Sequence, residues 1–168
     1  MRIPQFLKFE FDDSGPSIFP TAVAWSLTDG RIKTVILMPE DDWLPEDPAD
    51  WQVDHQHFKE QGAPAIEVIQ EMNEDLEETT VYTDGLDPDD ELIEVLFETL
   101  NQGASFQVAP VAELLNHRDS AELTERYSDL ILEEGLDPQI AESGVYALLL
   151  LAREEGLMDN IGDESPGL

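Results

Sequence analysis

QFLKFEFDDSGPSIFPTAVAWSLTDGRIKTVILM, Gln5 to Met38, reads as three strands joined by two turns. In QFLKFEF the aromatics Phe6, Phe9 and Phe11 are interleaved with the charged Lys8 and Glu10. That period-two pattern belongs to a strand, whose successive side chains point to opposite faces. DDSGPS is a turn, and TAVAWSL (Thr21 to Leu27) is a second strand. TDGR then holds the Asp-Gly pair favoured in tight hairpins, and IKTVILM (Ile32 to Met38) is the third strand. The stretch predicts an antiparallel meander.

Beyond it, Pro39 to Gly62 is polar, Pro-rich and carries two Trp, which predicts a long surface loop with room for a short helical turn. Ile66, Val68, Ile69, Met72 and Leu76 make a helical stripe from Pro64 to Leu76. Thr79 to Thr83 is a short β-rich run, broken by DGLDPDD. Asp87 or a neighbour then caps a helix reaching Asn101, with Leu92, Val95, Leu96 and Leu100 as its apolar face. SFQVAPV predicts a fifth strand, and two helices follow, Ser120 to Glu134 and Pro138 to Glu155. Between them GLDP supplies a Gly stop, an Asp cap and Pro at the first helical position. The domain runs from 1 to 156, with a polar tail over 157–168. The order predicts an α/β fold with a mixed sheet whose first three strands are antiparallel.

Composition sets outer limits. The 168 residues include 39 Asp and Glu against 8 Lys and Arg, a net charge of −31, yet 41 % are hydrophobic, enough for a core. The absence of Cys excludes disulfides, thiolate zinc sites and thiol nucleophiles. The longest apolar run, Val145 to Ala152, falls far short of the roughly 20 residues needed to span a bilayer. MRIPQFLKFEFDD lacks the apolar run of a signal peptide, so the reading is cytoplasmic. The basic residues are scattered, which argues against nucleic acid and anionic membranes as partners. Three readings of the acidity stay open: solubility in a salty cytoplasm, a face for a basic protein or a mimic of nucleic acid, and a divalent-metal site. Composition says nothing of oligomeric state.

The chain resembles the DEDD-type 3′–5′ exonucleases, the group that contains proofreading exonuclease subunits and ribonuclease T. The residues that carry the likeness are Glu10, the Ser14–Gly15 turn, Phe19–Pro20 and Val23–Ala24–Trp25 in the first two strands. MPEDDW, QGAPAIEVIQEMNEDL and VYTDGLDPDDELIEVLF follow in the family's order, so the match spans roughly residues 5–155. The resemblance implies a ribonuclease H-like mixed five-stranded sheet flanked by helices. It also implies a two-metal nuclease site of four carboxylates with a His general base.

Carried over residue by residue, that site is degenerate. Glu10 keeps the family's Glu, but Lys8 stands at the paired Asp. The second-motif Asp maps to Asp89, with Asp84 and Asp87 as alternates; Gln139 stands at the His and Gly144 at the last Asp. An ammonium at Lys8 beside a dication costs several kcal/mol at ~4 Å in an effective dielectric near 20. Gly144 supplies no ligand, and Gln139 abstracts no proton at neutral pH. Glu10 and Asp89 would be the remaining metal ligands, pointing into one cleft, and Lys8 would pair with Glu10 or Asp89 in place of a metal. The expectation is a non-catalytic homologue acting through protein contacts, with no cofactor, a basic protein as partner, weak or absent nucleic-acid binding and no membrane. Two alternatives accompany it: a Mg²⁺- or Mn²⁺-dependent exonuclease using shifted carboxylates such as Asp12, Asp13 or Glu142, and an acidic decoy mimicking nucleic acid.

Other candidates have simpler readings. Asp54-His55-Gln56-His57 reads as loop surface before a metal site, and His117-Arg118-Asp119 as a helix start, since no nucleophile accompanies it. Trp43 and Trp51 read as loop plugs on the core before base-stacking platforms.

Overall fold

The computed structural model describes residues 3–13, 18–40, 43, 53–86, 88–99, 101–115 and 119–156. β1 (Leu7–Asp12), β2 (Phe19–Ser26) and β3 (Ile32–Ile36) form the expected antiparallel meander in the order β1-β2-β3. Lys8 lies opposite Ala24 and Glu10 opposite Ala22, and the register shifts between Glu10 and Phe11. The hairpin from β2 to β3 is closed by Asp29, whose carboxylate accepts from the Arg31 backbone N–H at 3.0 Å and from its Nε at 2.7 Å. These bonds hold the Asp29 carboxyl below its usual value, the backbone bond contributing most.

The chain continues through α1 (Val53–Gln61), α2 (Ala65–Asp75), β4 (Thr80–Thr83), α3 (Asp89–Thr99), β5 (Gln107–Pro110), α4 (Val111–Leu114), α5 (Ser120–Glu133) and α6 (Ala141–Glu154). β4 and β5 pair in parallel as a two-stranded sheet of their own. The expected single five-stranded ribonuclease H-like sheet is therefore corrected. The two sheets meet at a lone bridge, Phe6 to Tyr82, where the Tyr82 N–H donates to the Gln5 carbonyl at 3.0 Å. Past that point the chain leaves β4 through Gly85, whose φ is +75°.

Helices cover both faces of the meander. Leu7, Phe9, Val23 and Trp25 pack with Val68, Ile69 and Met72 of α2 and Leu92 and Leu96 of α3. Phe6 and Ala24 pack with Leu123 and Tyr127 of α5 and Val145 and Leu148 of α6. Every residue of β2 is buried, because the central strand is covered on both sides. The region read as a loop, Pro39 to Gly62, contains α1, a full helix of nine residues. Its polar composition shows no apolar stripe that would have marked it. Trp43 is buried and stacked on Phe19 with ring centres 6.1 Å apart, and Trp51 lies outside the described residues. The tail over 157–168 also lies outside them.

Asp75, at the end of α2, ties that helix to the sheet. Its Oδ2 accepts from Nε1 of the fully buried Trp25 at 2.9 Å and from Lys33 Nζ at 2.8 Å. Its carbonyl accepts from Gln5 Nε2 at 3.2 Å. The bond to Asp75 raises the Lys33 ammonium above its ordinary value of 10.5, burial opposes this, and a bond to Glu71 reinforces it. That contribution to stability is complete below pH 10.5 and is lost as pH rises through the raised folded-state value.

Replacing Asp75 by Ala is expected to cost about 1–3 kcal/mol in chemical denaturation, because the Trp25 N–H loses its acceptor in a dry site. Asp75→Asn keeps an acceptor there and is expected to cost less at neutral pH, while flattening the fall in stability above pH 10.5. Equal costs for the two substitutions would contradict this assignment.

Candidate functional site

On β1 the side chains at i and i+2 share a face, so Phe6, Lys8 and Glu10 look toward α6 while Leu7 and Phe9 look toward α2 and α3. The cross-strand neighbours on the α6 side are the small Ala22 and Ala24, which leave room beneath the helix. Lys8 uses that room. Its Nζ donates to Asp84 Oδ2 at 2.7 Å, with the side chains only 10 % and 2 % exposed. The same oxygen accepts from the Tyr127 hydroxyl at 2.8 Å, and Oδ1 accepts from the Leu86 N–H at 3.0 Å. β4 delivers Asp84 to this point directly after Thr83, and Gly85 in the left-handed region folds the loop so that the Leu86 N–H reaches back.

Gly144 completes the arrangement. A Cβ there would overlap Cδ of Lys8 and lie 2.8 Å from its Cε and 3.1 Å from the Tyr127 oxygen. The helix thus approaches β1 at its one glycine, and the lysine stem fills the space a side chain would take. The structure brings together Lys8, Asp84 and Gly144, three of the residues singled out from sequence. Asp84, which the sequence reading gave only as an alternate metal ligand, is a partner of Lys8. Tyr127 was missed: its spacing with Leu123, Leu130 and Ile131 marks a buried helix face but not a hydroxyl with a task.

Glu10 has a separate duty. Its Oε2 accepts from the Ala141 N–H at 2.9 Å, at the start of α6. The residue before the helix, Ile140, has no polar side chain to do this. The expected cap at Asp137 is therefore corrected. Asp137 accepts from the Gln139 N–H at 2.9 Å in a preceding turn, and the helix begins three residues after Pro138, at Ala141. A carboxylate supplied from the sheet satisfies one orphan donor and meets the positive end of the helix dipole.

Gln139 is exposed and lines an open cleft of about 490 Å³ with Lys8, Glu10 and Pro138. Asp89 is buried at the start of α3 and lines a different cavity, of about 410 Å³, with Thr83 and Pro110. Asp87 lies outside the described residues, as do His117 and Arg118. Glu142 is exposed on α6, and His57 is exposed on α1 with its ring edge-on to Phe58. Asp119 caps α5 by accepting from the Ala121 N–H at 2.7 Å. Among the described residues no three His, Asp or Glu converge as a group able to hold a metal ion. Among the described residues, the Asp84 carboxylate is met by the Lys8 ammonium where a dication would have to sit.

No family model matches the chain, and no curated protein is similar to it. A solved chain that is similar comes from the structure of the yeast NOT1 MIF4G domain co-crystallized with CAF1. The alignment covers 93 % of this chain and 81 % of that one, with a TM-score of 0.59 at 8 % identity. At that identity the likeness is one of fold alone. The expected membership of the DEDD 3′–5′ exonucleases is corrected on these findings: none of them identifies such an enzyme, and the short motifs that carried the resemblance serve the architecture of this chain instead. Glu10 is a helix cap, and Val23 and Trp25 are core positions of a central strand. Among the described residues no helix is long and apolar enough to cross a membrane.

Asp84→Ala is expected to cost about 3–5 kcal/mol by stranding a buried ammonium, whereas the double replacement Lys8→Met with Asp84→Leu costs less than the sum of the two single changes. Additive costs in a double-mutant cycle would show that the pair does not act as a unit. Gly144→Ala is expected to cost about 1–3 kcal/mol through overpacking, and markedly less in a Lys8→Ala background. An unchanged cost there would place the crowding elsewhere. Glu10→Ala is expected to cost about 0.5–2 kcal/mol, the range for a lost cap.

Proposed function

We propose that this protein is a non-catalytic interaction domain whose partner is a basic protein, in a cytoplasmic setting. The observation that carries the reading is the use made of the central polar residues. Lys8, Asp84, Tyr127 and Gly144 form a closed structural contact. A reactive centre needs groups left accessible to substrate, and the Asp84 carboxylate is engaged by three donors and almost wholly buried.

The surface supports the partner class. A net charge of −31 repels phosphate polymers and attracts cationic protein surfaces over about 8 Å at physiological salt. Some basic residues are already committed within the fold: Lys8 to Asp84, Lys33 to Asp75 and Glu71, and Arg126 to Glu133 and Glu154. The similar chain comes from a structure that holds two proteins, which agrees with a role in protein contacts.

Fluorescence anisotropy with the purified chain tests this. A labelled lysine-rich peptide is expected to bind with an affinity that falls as salt rises, while a single-stranded oligonucleotide is expected to show no binding near physiological salt, where phosphate repulsion dominates. Incubation of the oligonucleotide with Mg²⁺ or Mn²⁺ is expected to leave it intact. Micromolar oligonucleotide binding without added metal, or time-dependent trimming with it, would overturn the proposal.

A further inference from the structure

Two recesses lie side by side where β4 and β5 end, sharing Gly85 and Pro110 on their common wall. In parallel sheets the carboxyl ends of the strands are where loops open and ligands gather. One recess, of about 270 Å³, is walled by Leu86, Pro110, Val111 and Leu123, with the Asp84–Tyr127 hydrogen bond at its polar end. The other, of about 410 Å³, is rimmed by Asp90 and Glu91, both exposed, over an apolar floor that includes Val108 and Ala109. No Lys or Arg is among the described residues that line either recess.

Among the exposed large aliphatic residues, Leu86 is the one that lines a recess: it is 57 % exposed beside the apolar one, on a loop otherwise built of Asp, Gly and Pro. Its backbone is nonetheless held, because its N–H donates to Asp84, and Asp84 is itself clamped by Lys8 and Tyr127. An exposed aliphatic side chain on a fixed backbone, beside an acidic recess, presents an apolar contact and a charge contact at once. The hydrogen bond to Asp84 lowers the ordering cost of presenting Leu86 on binding.

We propose that this pair of recesses docks a short segment of the partner protein that carries a lysine or arginine two residues from a large aliphatic residue. The cation sits against Asp90 and Glu91, and the aliphatic side chain packs on Leu86 and Leu123. The shared wall makes the two subsites neighbours, and an extended segment advancing about 3.3 Å per residue presents side chains i and i+2 to them from one face. The proposal rests on the reading of the protein as a binder of basic partners and gives that reading a place and a second determinant, apolar contact.

The test compares two synthetic nine-residue peptides of equal charge, one repeating Lys-Ser-Leu-Ser and one with each Leu of that Lys/Leu peptide replaced by Ser, titrated into the ¹⁵N-labelled full chain. The Lys/Leu peptide is expected to bind at least tenfold more tightly, with amide shifts concentrated at Gly85, Leu86, Ala109 and Ala112. Leu86→Ser, which keeps the backbone N–H that Asp84 accepts, is expected to erase that preference. Asp90→Asn with Glu91→Gln is expected to weaken both peptides. Equal binding of the two peptides, a preference that survives Leu86→Ser, or shifts centred on another acidic surface would overturn the docking site while leaving the broader reading standing. Failure of both peptides to bind at low salt would overturn both.

Discussion

A lysine ammonium and an aspartate carboxylate, 2.7 Å apart and almost wholly removed from water, hold the centre of this molecule together. Neither charge is tolerable there alone, since an isolated ion loses its hydration with nothing in return. Each therefore fixes where the other's backbone must be. Lys8 belongs to the first strand and Asp84 to the loop after β4, so the pair joins the two sheets where their backbone ladder stops at a single bridge. Tyr127 brings α5 to the same oxygen, and Gly144 lets α6 settle onto the lysine stem. Strand, loop and two helices are located by one contact and its packing.

The neighbouring features depend on this arrangement in an understandable order. With α6 seated over Lys8, its first turn arrives within reach of Glu10, two residues along the same strand face, and Glu10 caps it. With Asp84 held, the Leu86 backbone is held beside Pro110. The structural centre and the proposed binding surface are thus consecutive parts of one hydrogen-bonded chain from Lys8 to Leu86. On the other face of the meander, Asp75 performs an analogous service, using one carboxylate to hold Trp25, Lys33 and the end of α2 together.

Much of the local structure was legible in the sequence because it follows from periodicity. The alternation around Lys8, the Asp-Gly hairpin and the stripes of α2 and α3 each mark an element within a few residues of its actual ends. The sheet arrangement was not legible, because it turns on how far a ladder extends around Phe6 and Tyr82, which lie far apart in the sequence. α1 was missed because a polar helix has no stripe. The cap of α6 was misassigned because Asp137-Pro138 is a sound local signal, overridden by a carboxylate from a distant strand. Of the candidate site, Lys8, Asp84 and Gly144 stood out as residues, but reading them through a family pattern gave their roles wrongly. Lys8 and Gly144 are complementary shapes, which is visible only when strand and helix are placed together.

The central claim concerns the state of one amine, and amine-selective labelling of the native protein, read by mass spectrometry residue by residue, tests it most directly. The account predicts that Lys8 is strongly protected in the folded protein, becomes reactive on unfolding, and becomes reactive in folded Asp84→Asn. A Lys8 modified in the native protein as fast as in the unfolded chain would contradict it.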